Sequence, residues 1–487
     1  MDIVNIGSRL ELLADRFLLE RRNMGDAHFH VHRPRPANVV LTTDRPWEHS
    51  IAYFVIFRDN GLYRMYYRGM HSNDGGVKAL GEPMCYAESH DGIEWTKPSL
   101  GLFEFEGSAD NNIVFGGDPV KYSPTELWRG HLGTDIHWWA DFVPFKDERP
   151  GVQDEARYKA LVRGCRGPCM VGKDRWDFGL YPFQSPDGLH WTLMRDTPVI
   201  TRGLIDAQNS AFWDAACGRY VAFSRDVRGP DPIPPDPDNL EEIAQDTIRD
   251  IRVSMSDDFL HWTDSMFLRY PNSPRQQLYT SAIQPYERAP HLLIGFPTRF
   301  FPEGGQTEPI FMVSRDGGAA FHRWPDAVIP RDAPEERDGN RSNYMACGVV
   351  RGNDREFFTY ATEGYKNGPS RRLRRFVWRV DGFVSLRARG TEGSVITRPL
   401  TFTGDQLLLN YAACSGGWVR VEIQDVEGRP LDDLALDDCI ELAGDSIEQR
   451  VFWKNGANLN RLVGQAVRLR FVLRSADLFS FRFAVLA

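Results

Sequence analysis

Short apolar runs recur along this chain, and several are closed by the same polar turn. The clearest copy is Ser89-His90-Asp91-Gly92-Ile93-Glu94-Trp95, and it returns as Ser185-Pro186-Asp187-Gly188-Leu189-His190-Trp191. A third copy, Ser256-Asp257-Asp258-Phe259-Leu260-His261-Trp262, is followed by looser ones at Ser314-Arg315-Asp316-Gly317 and Arg379-Val380-Asp381-Gly382. Asp-Gly suits a tight turn because glycine takes positive φ freely and the aspartate bonds its own backbone. Ahead of each turn the pattern predicts strands. The first unit reads Ala52–Phe57, an Asp59-Asn60-Gly61 hairpin, Leu62–Arg68, Met84–Ala87, the turn and an outer strand at the tryptophan. Units with the same order start at Asp141, Asn209, Tyr279 and Tyr344. Strand–turn–strand units repeated at this spacing predict an all-β fold, a five-bladed β-propeller.

After Leu386 the repeat stops, while alternation continues in Ser394–Thr397, Gln406–Asn410, Trp418–Ile423 and Val467–Leu473. This predicts a C-terminal β-sandwich. Residues 1–386 are then the propeller and carry any catalysis, and 387–487 are an accessory domain. One stretch breaks the pattern. Residues 228–250 open on a proline-rich run, Pro230-Asp231-Pro232-Ile233-Pro234-Pro235, which no central strand accommodates, so they form an insertion on a rim. A lid over a cleft, a contact in a homo-oligomer and a solvated loop all remain open for it.

Composition narrows the function. A net charge of −9 argues against nucleic acid or an anionic membrane as the main partner. No apolar run reaches the ~20 residues that span a bilayer. Met1 to Glu20 mixes charges among its apolar residues and does not read as a signal peptide. The seven scattered cysteines do not read as a disulfide framework. Cys165 and Cys169 lack a second Cys/His pair to complete a zinc site, so no metal or cofactor is expected. The expectation is a cytoplasmic protein with reduced thiols.

Inner strands of a propeller converge on its axis, so the residues preceding them become neighbours at one mouth. Here those positions hold Trp47-Glu48-His49, Asp135-Ile136-His137-Trp138-Trp139 with Asp141, Asp206 with Asn209, and Tyr279. Three consecutive units thus bring an acid to the mouth, among aromatic rings that suit sugar faces. Two carboxyl groups facing a sugar can break a glycosidic bond, one as nucleophile or base and the other as general acid. Each acid alone could equally cap a strand end.

The blades, the mouth acids and the trailing sandwich together resemble the five-bladed propeller glycosidases of glycoside hydrolase families 32, 43 and 68. In layout the chain is most similar to family 32, whose members act mainly on fructofuranosides. Where that family carries its Trp-Met-Asn-Asp-Pro-Asn nucleophile motif, this chain reads Pro46-Trp47-Glu48-His49. Its Arg-Asp-Pro stabiliser resembles Leu204-Ile205-Asp206-Ala207, with the acid retained, and its Glu-Cys acid motif has no clear counterpart. The resemblance implies a hydrolase, or transglycosylase, of furanosides or small oligosaccharides. Glu48 is then nucleophile or base, Asp206 the stabilising carboxylate and Asp141 the acid. Asp15, Asp135, Glu308 and Glu363 are reserve acids. Trp47, His49, His137, Trp138, Asn209, Tyr279 and Arg299 would bind the small-molecule carbohydrate. A non-catalytic carbohydrate-binding propeller and a protein-interaction scaffold are the alternatives.

Overall fold

The computed structural model describes residues 3–20, 24–48, 50–73, 78–81, 83–115, 137–138, 141–166, 176–229, 248–271, 273–274, 276–331, 343–364, 371–454 and 456–485. Among them there is no α-helix. The chain divides into two compact units: one of residues 34–286 and 290–377, and one of residues 1–33, 287–289 and 378–487.

The larger unit is the five-bladed propeller. Blade one is Ser50–Asp59, Leu62–Asn73, Met84–Ser89 and Ile113–Phe115. Blade two has an inner strand in two pieces, His137–Trp138 and Val143–Lys146, followed by Tyr158–Arg166, Trp176–Ser185 and Thr192–Leu193. Blade three is Ser210–Asp214, Arg219–Arg228, Ile248–Ser256 and Met266–Phe267. Blade four is Ile283–Tyr286, Ala289–Gly295 with Thr298–Phe301, Gln306–Ser314 and His322–Ala327. Blade five is Val350–Arg351, Glu356–Glu363 and Arg372–Arg379, and its fourth strand comes from the other end of the chain, Arg35–Thr42. That borrowed strand closes the ring.

The ring is tied between inner strands. Val55 of blade one bridges Cys347 of blade five, with Cys347 N–H donating to the Phe54 carbonyl at 2.8 Å and Ile56 N–H to the Cys347 carbonyl at 2.9 Å. Gln284 of blade four exchanges two hydrogen bonds with the Val349 backbone of blade five. Ser210 and Ser281 link blades three and four at 3.1 Å. Asp59, at the foot of blade one, accepts from Lys146 at 2.6 Å and from Tyr158 at 2.5 Å, both in blade two. Asp147 accepts from Tyr220 of blade three at 2.6 Å.

The repeated turn follows the third strand of every blade, as expected, and it also latches neighbouring blades. In the second copy the Ser185 hydroxyl accepts from the N–H groups of Asp187 and Gly188, and Asp187 accepts from those of Leu189 and His190. Gly188 has φ +81°, and its carbonyl accepts from Tyr66 of blade one at 3.1 Å. In the same way Tyr360 of blade five donates to the Gly92 carbonyl of blade one at 2.7 Å. The tryptophan lies in the turn in blade one, where the fourth strand is Ile113–Phe115 and not the Trp95 stretch.

The first 33 residues do not belong to a blade. Glu11–Leu12 and His28–Val31 pair with Arg468–Ala484 and Val384–Ala388, and Val4–Gly7 pairs in parallel with Leu400–Phe402. The sandwich is built around two long strands, Gln406–Gln424 and Arg468–Ala484, over a core that includes Leu13, Leu18, Val421, Leu469, Phe471 and Phe481. A propeller beginning at residue 1 and ending at 386 therefore misplaces both edges. The alternation of Met1 to Leu19 fits any half-buried strand and does not name its partner. A second correction concerns the thiols. Cys165 is disulfide-bonded, so not all seven are reduced.

Two outcomes test the turn. A Cβ at position 188 would lie 2.6 Å from the Tyr66 hydroxyl in a left-handed conformation, so Gly188→Ala should cost about 1–3 kcal/mol in urea unfolding; an unchanged midpoint would remove the latch. Burial pushes the Asp187 carboxyl up, but the backbone N–H and ring of His190, the Leu189 N–H and Ser185 outweigh it and bring it down to about 2. Its folded value lies below the unfolded one of about 3.9, so its contribution is present above that pH and lost as pH falls towards 2. Asp187→Asn should flatten the stability–pH curve in that window.

Candidate functional site

The sequence arguments pointed to the mouth formed before the inner strands, and the structure sorts those residues into three groups. Glu48 is sealed away. It is fully buried, with its carboxylate 2.5 Å from Lys97 Nζ and hydrogen-bonded to the Tyr67 hydroxyl. Asn112 donates to Tyr67 at 2.8 Å and accepts from the Trp47 indole at 2.8 Å. Burial pushes the Glu48 carboxyl up and Lys97 opposes the shift. Glu48 and Trp47 thus belong to a buried polar network in blade one.

A second group serves single blades. Trp138 is 5.0 Å from Tyr181 and 5.1 Å from Phe183, edge to face, which makes it core and not a stacking platform. Glu308 pairs across the strands with Arg299 and also accepts from the Arg331 N–H, so the two predicted site residues satisfy each other. Glu363 is held by Arg372 at 2.7 Å and Arg374 at 2.8 Å, and Arg374 in turn bonds the Ala37 carbonyl of the borrowed strand. Glu363 thereby supports the closure. Asp15 lies in the other unit, where it accepts from the Phe17 N–H at 3.0 Å. His49, Asp135 and most of the 228–250 insertion lie outside the described residues, and His137 is described only as backbone in a strand.

The third group converges. Asp141, between the two pieces of blade two's inner strand, is buried beside Arg163 at 3.2 Å and Arg68 of blade one at 3.6 Å. The Arg68 guanidinium lies over the Tyr53 ring at 4.2 Å. Tyr53 meets Tyr344 of blade five at 5.9 Å, and Tyr344 meets Tyr279 of blade four at 5.8 Å. Arg225 of blade three lies over Tyr279 at 4.7 Å and forms an ion pair with Asp206. An unbroken arc of contacts therefore runs from blade two through one, five and four to three. Tyr53 and Tyr344 also belong to a buried cluster with Ala52 and Ala207, and the neighbouring Gln208 amide reaches across to the Phe54 carbonyl at 2.7 Å. Among the described candidates, Tyr279 is half-buried and the Asp206 side chain is 22% exposed.

Local backbone explains why Asp206 faces the opening. Ile205 takes φ +45°, an uncommon conformation for a β-branched residue. Its N–H donates to the Arg225 carbonyl, and the Asn209 amide donates to the carbonyls of Ile205 and Ala207 while accepting from the Arg225 N–H. Asn209 therefore positions the Asp206 loop; it does not touch a sugar. Tyr53 also has positive φ, +52°.

The arginines are what the residue-by-residue reading passed over. Tyr63, Tyr158 and Tyr220 each face the serine of their blade's turn, at Ser89, Ser185 and Ser256. Five residues after each stands Arg68, Arg163 or Arg225. The repeat Tyr-x-x-x-x-Arg was thus present in the text and marks one level of the ring in three consecutive blades. Among the described residues no three His, Cys, Asp or Glu gather as a metal site.

No family model matches this sequence, and no curated protein matches it. Among solved structures it is similar to a glycoside hydrolase family 43 arabinoxylan arabinofuranohydrolase from Bacillus subtilis, with 12% identity over 90% of this chain and 96% of that one and a TM-score of 0.43. It is also similar to a glycosyl hydrolase from Bacteroides ovatus, with 12% identity, 73% and 94% covered and a TM-score of 0.43. An α-L-arabinofuranosidase from Clostridium thermocellum follows, with 12% identity, 69% and 93% covered and a TM-score of 0.38. Likenesses at this level carry no argument about chemistry, which has to rest on the site.

The Glu48 network makes its own prediction. Lys97→Met strands a buried carboxylate and should cost about 3–5 kcal/mol at pH 7. A carboxyl raised on folding favours the folded state at low pH, so the loss should shrink when urea unfolding is repeated at pH 5. An equal loss at both pH values would contradict the network.

Proposed function

We propose that the propeller is a glycoside hydrolase whose substrate enters the axial pocket and is worked on beside Asp206. One observation carries this reading: residues of five blades set a part-exposed carboxylate, a half-buried tyrosine and paired arginines along one arc of contacts. In this reading Asp206 is the working carboxylate, as base or nucleophile, with Arg225 as its ion-pair partner. Tyr279 offers a ring edge to the sugar. Asp141 is buried between two guanidinium groups. Its role is to hold Arg68 and Arg163. Glu48 takes no part. The finer reading, a furanoside or small oligosaccharide handled in the manner of a fructofuranosidase, rests on the layout of blades, mouth acids and sandwich.

A second reading, sugar binding without hydrolysis, is favoured by one feature. Hydrolysis usually needs two carboxyl groups, about 5–9.5 Å apart, and Asp206 is the one described axial candidate that reaches solvent. A panel of aryl furanosides, aryl pyranosides and sucrose-type sugars, with NMR of the released anomer, separates the two. Asp206→Asn should cut turnover at least ~100-fold while leaving thermal unfolding in place. Turnover unchanged in that variant would sink the assignment; sugar binding with no turnover in the parent would establish the second reading. Transfer to an acceptor sugar in the same assays would identify a transglycosylase.

A further inference from the structure

The two long strands of blade three treat their faces differently. On one face Asp226 pairs with Arg252 and Asp250 with Arg228, two acids against two bases. Register places Arg225 and Arg249 together on the other face, since Arg225 opposes Ile251 and Arg249 opposes Val227. There Asp206 is the one carboxylate in an ion pair among the described residues, bound to Arg225. Arg249 donates to the Gln277 side chain at 3.0 Å, a neutral acceptor, and forms no ion pair among the described residues. Both guanidinium groups lie at Tyr279, 4.7 Å and 5.7 Å from its ring centre. Each keeps a buried Nε–H without an acceptor, and the Arg225 side chain is only 2% exposed.

Two cations brought to one ring, one of them removed from water, repel each other, and each unanswered buried donor adds to the cost. Burial holds the Arg225 guanidinium below its ordinary range, and Arg249 adds to that effect. An incoming group with two anionic oxygens would answer both unfilled donors and the surplus charge, because the guanidinium fork matches that geometry.

We propose that the pocket is built for an acidic carbohydrate, whose anionic substituent lies against Arg225 and Arg249 while its ring sits at Tyr279 beside Asp206. This rests on the reading of the axis as a sugar site, but it does not require hydrolysis. A carboxylate of a uronic acid and a sulfate ester share the needed chemistry, and direct comparison distinguishes them.

The test is calorimetric binding to the full chain. Oligosaccharides ending in galacturonate or glucuronate are each compared with their own methyl ester, which keeps the skeleton and removes the charge; a sulfated sugar and its unsulfated form make the second arm. At least one acid should bind ~10- to 100-fold more tightly than its neutral form, the range expected of hydrogen bonds to charged groups. In Arg249→Gln that preference should collapse towards one, and Arg249→Lys, which keeps the charge but not the fork, should retain part of it. Arg269→Gln is the control for bulk charge, since this arginine is 72% exposed and its ion-pair partner is Asp316. Neutral forms binding as tightly as both acids would overturn the proposal, as would an equal collapse in Arg269→Gln. Acid binding without turnover keeps it and removes the hydrolase reading; turnover of neutral glycosides with no acid preference does the reverse.

Discussion

The inner strands of a five-bladed ring are buried against one another, so the polar groups there have to be answered by polar groups of the protein. The Phe54 carbonyl shows how far this goes. It accepts from Cys347 of blade five and from Gln208 of blade three, so three blades meet at one oxygen. Asn209 spends its whole amide on backbone in the same way, and the strained Ile205 is held in place by it. Asp141 and the arginines beside it follow the same rule with charges. Around Tyr279 the described residues leave Asp206 part-exposed and donors of Arg225 and Arg249 unfilled, and these are what a ligand would meet.

The blades were legible in the sequence because a turn is a local object. Ser, Asp and Gly fold onto their own backbone, so five copies of one pattern could be read and counted. The ends of the propeller were not legible for the opposite reason. Arg35–Thr42 and Arg372–Arg379 are neighbours in space and far apart in the chain, and nothing in either stretch names the other. The strands before residue 33 read as strands, but their partners lie in the sandwich.

The site was half legible. Counting back from each turn led to Asp141, Asp206 and Tyr279, which the structure brings onto one arc. The same count led to Glu48, and there it failed: acids in equivalent stretches need not share a destination, and Lys97, 49 residues away, holds Glu48 inside the blade. Trp138 failed similarly, since a large ring fills a blade core as readily as it faces a sugar. The arginines are harder to read, because Arg68, Arg163 and Arg225 stand well apart in the chain from Asp141 and Asp206, which they meet in the fold. Only the register shows that Arg68, Arg163 and Arg225 occupy one level.

That level is the centre of the account, and a crystal structure of the protein soaked with an acidic oligosaccharide tests it most directly. The account predicts a sugar ring at Tyr279 and its anionic group within ~3 Å of Arg225 and Arg249. A ligand ordered on the sandwich or on the outer rim of a blade, with the axial pocket left empty, would contradict it.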